Sequence, residues 1–231
     1  MNIDTTGGGY AFNMKFTNAR SGFGQGSGWG FFGANTSNIT VSNFSSERNN
    51  FDGVDILGGS NITLMGGQIM GDSATPTGYF GIKVHGGTDI SISNNVVGTT
   101  YPTVGASNQN YGIVIDNTFT GRLSVKDNNV RDNATAGIFN SSTSTGIVIT
   151  GNTGYNPVGV SYPTLGASPW TYTAGASPEI DRLTSGTCTS IKVQGVAIDN
   201  PAPMNMTVQL APGQVLTGTC SVNPNFSAFI Q

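Results

Sequence analysis

Apolar and polar residues alternate with period two through most of the first 155 residues, in short runs bounded by Gly, Asn and Ser. Two kinds of run recur in turn. The first is a Gly followed by apolar, any, apolar or near-apolar: Gly30-Phe31-Phe32, Gly53-Val54-Asp55-Ile56, Gly81-Ile82-Lys83-Val84, Gly112-Ile113-Val114-Ile115 and Gly137-Ile138-Phe139. The second is apolar, Ser, Thr or Val, apolar: Ile39-Thr40-Val41, Ile62-Thr63-Leu64, Ile90-Ser91-Ile92, Leu123-Ser124-Val125 and Ile147-Val148-Ile149. The Gly series steps by 23, 28, 31 and 25 residues, and the Ile/Leu series by 23, 28, 33 and 24. Two markers that lengthen and shorten together belong to one repeating unit. Each run reads as a strand with one inward face, too short to bury that face alone. Stacked about 4.8 Å apart, copies of the unit bury a continuous apolar column. The predicted fold is a parallel β-helix of five coils, or six if Phe12-Asn13-Met14-Lys15-Phe16 closes a turn of its own. Val54, Ile82, Ile113 and Ile138 should form one internal column, Ile56, Val84 and Ile115 a second, and Ile39, Ile62, Ile90, Leu123 and Ile147 a third. Helix is excluded, because no useful window is apolar at i, i+3, i+4 and i+7 and Gly is too dense.

Asn95, Asn128 and Asn152 each fall five residues after the second marker. Asn tolerates left-handed backbone, and its amide can bond the same group one coil on, so a stacked Asn ladder is expected. After Asn156-Pro157 the pattern changes to proline-punctuated short strands such as Thr189–Val193 and Thr207–Leu210, with a turn at Ala211-Pro212-Gly213-Gln214. The predicted organisation is a β-helix over 1–156 and a small β-sandwich or β-prism over 157–231. Cys188 and Cys220 both lie in this last quarter. They can pair, but two cysteines do not make a disulfide framework, and buried free thiols are the preferred expectation.

Composition narrows the partners. Nine basic and twelve acidic residues leave a net charge of −3, without the Lys/Arg clusters that nucleic acid or a membrane surface requires. The surface is covered by Ser, Thr, Asn and Gly instead. No stretch approaches a membrane span, and the first nine residues have neither a basic nor an apolar segment, so no secretory signal is expected. The Asn38-Ile39-Thr40 and Asn61-Ile62-Thr63 triplets fit a glycosylation pattern but lie within strands. One histidine without a nearby cysteine makes no metal site, and no cofactor is expected.

Extra length enters two neighbouring units at the same point, over 72–79 and 99–111. Both insertions should project from one edge, and insertions on one solenoid face commonly build a binding face. They carry Tyr79, Tyr101 and Tyr111, whose flat amphipathic rings suit sugar stacking. Outward positions of the first strand series, Phe32, Val114 and Phe139, are expected to face another subunit.

These runs resemble the right-handed β-helices of the pectate-lyase-like superfamily, which includes phage tailspikes, polygalacturonases and polysaccharide lyases. The resemblance covers about residues 10–155. Asn50-Phe51-Asp52-Gly53 is similar to the Asn-Thr-Asp-Gly motif of polygalacturonases, making Asp52 and Asp55 the candidate catalytic pair. The family's other elements are degraded: Gly71-Asp72-Ser73, Val84-His85-Gly86-Gly87, and Lys83 without an arginine beside it. A structural account is preferred for all of them. Asp55 and Lys83 should stand side by side in adjacent coils as a salt bridge, Asp52 should cap a turn, and His85 should be exposed or bonded within a turn. The 167–179 run resembles a module that closes many phage tail proteins, as does 208–217. That likeness implies a bacteriophage structural protein, a short spike or capsid decoration in the virion. The likeness further implies a homo-oligomer, a trimer, meeting other virion proteins and host surface polysaccharide, with a depolymerising glycosidase or lyase as the alternative.

Overall fold

The computed structural model describes residues 1–73, 78–98, 109–156, 158–198 and 204–231. These fall into two compact units, 1–144 with 151–155, and 145–150 with 156–231. The first is a parallel solenoid. Its first sheet stacks six strands: Asn2–Asp4, Trp29–Phe32, Val54–Ile56, Ile82–Val84, Tyr111–Ile115 and Ala136–Asn140. Val54, Ile82, Ile113 and Ile138 are partners in register, as are Ile56, Val84 and Ile115. A second sheet runs through Ala11–Thr17, Thr36–Ser42, Ser60–Met65, Thr88–Ser93 and Leu123–Lys126, with Ile39, Ile62, Ile90 and Leu123 in register. Every residue of these columns is at most 4% exposed, and each such side chain contributes roughly 1.5–3 kcal/mol. Ile147 is also buried, in a strand, Ile147–Thr150, that groups with the second unit. The 12–16 run occupies its own coil, with Met14 beside Ile39 and Phe16 beside Val41.

The structure adds a third sheet to the two expected. It comprises Arg20–Gly22, Ser45–Glu47, Gln68–Met70 and Val96–Val97. Each strand is two or three residues long with one inward side chain, such as Ser46, Ile69 or Val97, too little for a visible period. The turn leading into it holds the Asn ladder. Asn95 Nδ2 donates to Asn128 Oδ1 at 3.0 Å, and Asn128 Nδ2 to Asn152 Oδ1 at 2.9 Å. The same oxygens accept the backbone N–H groups of Asn95 and Asn128. Each ladder Asn follows a left-handed residue, Asn94, Asp127 or Gly151 (φ 55°, 56° and 68°), which is why Asn, Asp and Gly recur there.

The marker glycines recur for lack of space. A Cβ on Gly81 would stand 2.3 Å from Val97 Cγ1 and 2.6 Å from the Gly112 carbonyl oxygen. One on Gly112 would stand 2.5 Å from the Gly137 carbonyl oxygen. The coils close so tightly at this corner that no side chain fits.

The second unit has two antiparallel four-stranded sheets. One holds Gly159–Ser161, Glu179–Thr184, Asn205–Leu210 and Asn225–Ile230. The other holds Trp170–Thr173, Thr187–Val193, Val196–Ile198 and Val215–Val222. Leu183, Leu210 and Phe226 from the first pack with Trp170, Ile191 and Leu216 from the second, so the sheets share one core. Residues 211–214 form the predicted turn, the Gln214 N–H donating to the Ala211 carbonyl. The expectation of free thiols is corrected: Cys188 and Cys220 form a disulfide. They lie opposite each other on paired antiparallel strands, Cα atoms 3.7 Å apart, at a register irregularity. Such a register is set by strand pairing and is invisible in the spacing of two cysteines.

Candidate functional site

Period-two alternation sends Asp55, Lys83 and Val114 to the outer face of the first sheet, with Leu57, His85 and Asp116 two residues further along. His85 and Asp116 follow adjacent strands directly, because Val84 pairs with Ile115. His85 Nδ1 lies 2.5 Å from Asp116 Oδ2, and its Nε2 lies 3.3 Å from Asp55 Oδ1. The second approach is too poorly aimed for a hydrogen bond, and Asp55 Oδ1 has no other partner among the described residues. Asp116 is fixed from behind. Its Oδ1 accepts the Thr118 N–H at 2.9 Å and lies 2.5 Å from Thr118 Oγ1. The Thr118 hydroxyl also reaches the His85 carbonyl oxygen at 2.9 Å. A carboxylate thus orients one ring nitrogen of a half-buried imidazole, and the other nitrogen faces a second carboxyl group. That is the arrangement of an acid–base pair with its positioning residue.

The electrostatics agree. Burial, then the neighbouring Asp52, push the Asp55 carboxyl up to about 7. Burial, then the Lys83 ammonium, lower the His85 imidazole despite the Asp116 carboxylate beside it. Burial works against ionisation of Asp116, but the hydrogen bonds from Thr118 and His85 outweigh it and hold that carboxyl low. At neutral pH the set is therefore an Asp116 carboxylate, a neutral imidazole donating from Nδ1, and an Asp55 carboxyl poised to give or take a proton.

Asp52 and Asp72 face inward behind this surface. Asp52 is 5% exposed and accepts the Phe80 N–H at 2.8 Å. It thus ties its own coil to the next, where a cap on its own turn was expected. Burial raises it to about 6. Asp72 is fully buried, accepts from the Asn49 backbone and side-chain N–H groups, and is raised by burial to about 7. A carboxyl whose folded pKa is raised holds its proton longer in the native state. Its stabilisation is complete below the unfolded value of 3.8 and is lost as pH rises through the folded value. For Asp72 the span corresponds to on the order of 4 kcal/mol. Denaturant unfolding should show the solenoid most stable in mild acid and weakening between about pH 4 and pH 7, a slope that Asp72→Asn should flatten.

Two further structural expectations are corrected. Lys83 and Asp55 are register partners as expected, but they form no direct ion pair: Asp55 turns to His85, and the Lys83 ammonium sits 5.5 Å over the Phe80 ring. His85 is neither free in solvent nor merely turn-bonded. Asp116 is a further residue of the site, absent from the sequence candidates. Of the aromatic candidates, Tyr79 packs on Phe51 with centroids 4.7 Å apart, and Tyr111 stacks on Phe139 at 5.2 Å. Phe80 stands 5.8 Å from Tyr111, so Phe80, Tyr111 and Phe139 form a row of rings, with the Lys83 ammonium over the Phe80 ring. Tyr101 lies outside the described residues. Phe139 is 45% exposed and Phe32 half-buried, whereas Val114 is 4% exposed and offers little surface to a partner. Among the described residues no group of three or more His, Cys, Asp or Glu is placed to hold a metal ion.

Residues 3–154 match the family model described as the right-handed β-helix region. The chain belongs to that family. No curated protein matches this β-helix in sequence. The solved structure of a mutant periplasmic alginate epimerase is similar over 66% of the chain, at 15% identity and a TM-score of 0.46. The match spans 38% of the epimerase chain.

Proposed function

We propose that this β-helix acts on polysaccharide chains at the outer face of its first sheet, with Asp55 and His85 as the proton-transfer pair and Asp116 as the residue that positions His85. The observation that carries the reading is His85 held between two carboxyl groups, at 2.5 and 3.3 Å. Two groups of rings, Phe51 with Tyr79 and the row of Phe80, Tyr111 and Phe139, supply flat surfaces suited to sugar rings. The test is reducing-end release from bacterial surface polysaccharides by wild type and by His85→Ala. Release by wild type that His85→Ala loses supports the reading; equal release by both, or none, rejects it.

The aromatic row alone also favours a second reading, glycan retention without turnover. It suits a homotrimeric spike or decoration protein on a phage particle, a placement that rests on the likeness of residues 167–179 to phage tail modules. Binding of polysaccharide without any shortening would select it.

A further inference from the structure

Charge on the proposed glycan face is unevenly placed. Of the nine basic residues in the chain, only Lys83 lies on a strand of the first sheet. Arg20 belongs to the third sheet and is paired with Glu47, and Arg122 precedes a second-sheet strand and is paired with Asp89. Lys15 and Lys126 lie on second-sheet strands, Arg48 lies over the Phe23 ring, and Arg131 lies outside the strands, against Gly154. Arg182 and Lys192 belong to the second unit. The Lys83 ammonium is itself engaged with the Phe80 ring. Against it, Asp55 and Asp116 present carboxyl groups on the outer face, and Asp52 lies directly behind. A polyuronate brings one carboxylate per sugar. Recognising it takes several guanidinium or ammonium groups, where this face offers Lys83 alone, and an incoming carboxylate would meet the Asp116 carboxylate.

We infer, resting on the function proposed above, that the glycan seated over Asp55 and His85 is uncharged and that its glycosidic bond is broken by water, not by elimination. Elimination requires removal of a proton beside a uronate carboxylate whose charge must be neutralised, and among the described residues neither a cationic cluster nor a group placed to hold a metal ion stands here to do it. Hydrolysis needs only the groups present. The C–O bond to the leaving sugar breaks as the Asp55 carboxyl proton passes to the leaving oxygen. Water gives its hydroxyl to the anomeric carbon, and its remaining proton returns to the Asp55–His85 pair. The bond count closes with one water consumed and no other reactant.

The experiment uses the full chain and a panel of bacterial surface polysaccharides. Neutral polymers are compared with uronate-containing ones, and each uronate polymer is also taken after reduction of its carboxyl groups to hydroxymethyl groups. Chain length, reducing ends and the ultraviolet absorbance of unsaturated sugars are all read. Shortening of neutral or carboxyl-reduced polymers, at least tenfold faster than of the native uronate forms and without unsaturated product, supports the inference. Faster shortening of native uronates, or any unsaturated product lost in Asp55→Asn, overturns it while leaving the acid–base function standing. Wild type that shortens nothing overturns the function and the inference together.

Discussion

Asp55→Asn will leave the protein folded and lower kcat/KM on its polysaccharide by about 10²–10⁴-fold, the range a positioned acid–base group supplies. The amide matches the carboxyl in size but cannot donate an acidic proton. Little of the fold depends on that carboxyl, since its Oδ1 makes no hydrogen bond among the described residues. Burial and Asp52 already disfavour its charge, so removing the charge should hold or raise the unfolding midpoint at about pH 8. Structural importance and catalytic importance therefore predict opposite signs in the stability measurement. An Asp55→Asn protein that keeps activity within threefold, or that unfolds at markedly lower denaturant, defeats the assignment. The wild-type rate should fall above about pH 7, as the Asp55 carboxyl loses its proton.

The solenoid was legible because its period is a property of side-chain chemistry. Paired markers at Gly53, Gly81 and Gly112 fix the register, and register alone placed Ile82 beside Ile113. The same counting held the site. His85 and Asp116 each come four residues after a marker Gly, and Asp55 comes two after one. Asp116-Asn117-Thr118 also carries its own signal, a carboxylate two residues before a hydroxyl, the pattern of a side chain fixed by the next turn. What could not be read was the direction of each outward side chain. Register makes Asp55 and Lys83 neighbours, and opposite charge argues for a salt bridge. Yet the aromatic ring of Phe80 draws Lys83 aside, and His85 reaches diagonally to Asp55. These choices are set by rotamers and by local burial, which a periodic pattern does not encode. The third sheet and the Cys188–Cys220 pair escaped for a related reason: strands of two or three residues and an irregular antiparallel register leave no repeat to count.

Gly81→Ala is the substitution expected to cost the fold most for the fewest added atoms. One methyl group would have to occupy space 2.3 Å from Val97 Cγ1, 2.4 Å from Gln109 Nε2 and 2.6 Å from the Gly112 carbonyl oxygen. Val97 can shift only into a column that is already fully buried. The Gly112 carbonyl cannot move without disturbing the strand that begins beside it, since Gly112 belongs to Tyr111–Ile115. Overpacking of this kind costs about 1–3 kcal/mol, and with backbone as well as side chain in the way the upper end is expected, which lowers the thermal midpoint of a chain this size by roughly 6–12 °C. The proper comparison is Gly26→Ala, where a Cβ meets nothing within 4 Å. That variant should match wild type or slightly exceed it, because alanine narrows the unfolded ensemble at a position without positive φ. Each coil touches only its neighbours, so the damage at Gly81 should appear first as faster amide exchange in the coils containing Val54, Ile82 and Ile113. Equal midpoints for the two variants would mean that the corner has slack, and the marker glycines would then need another cause.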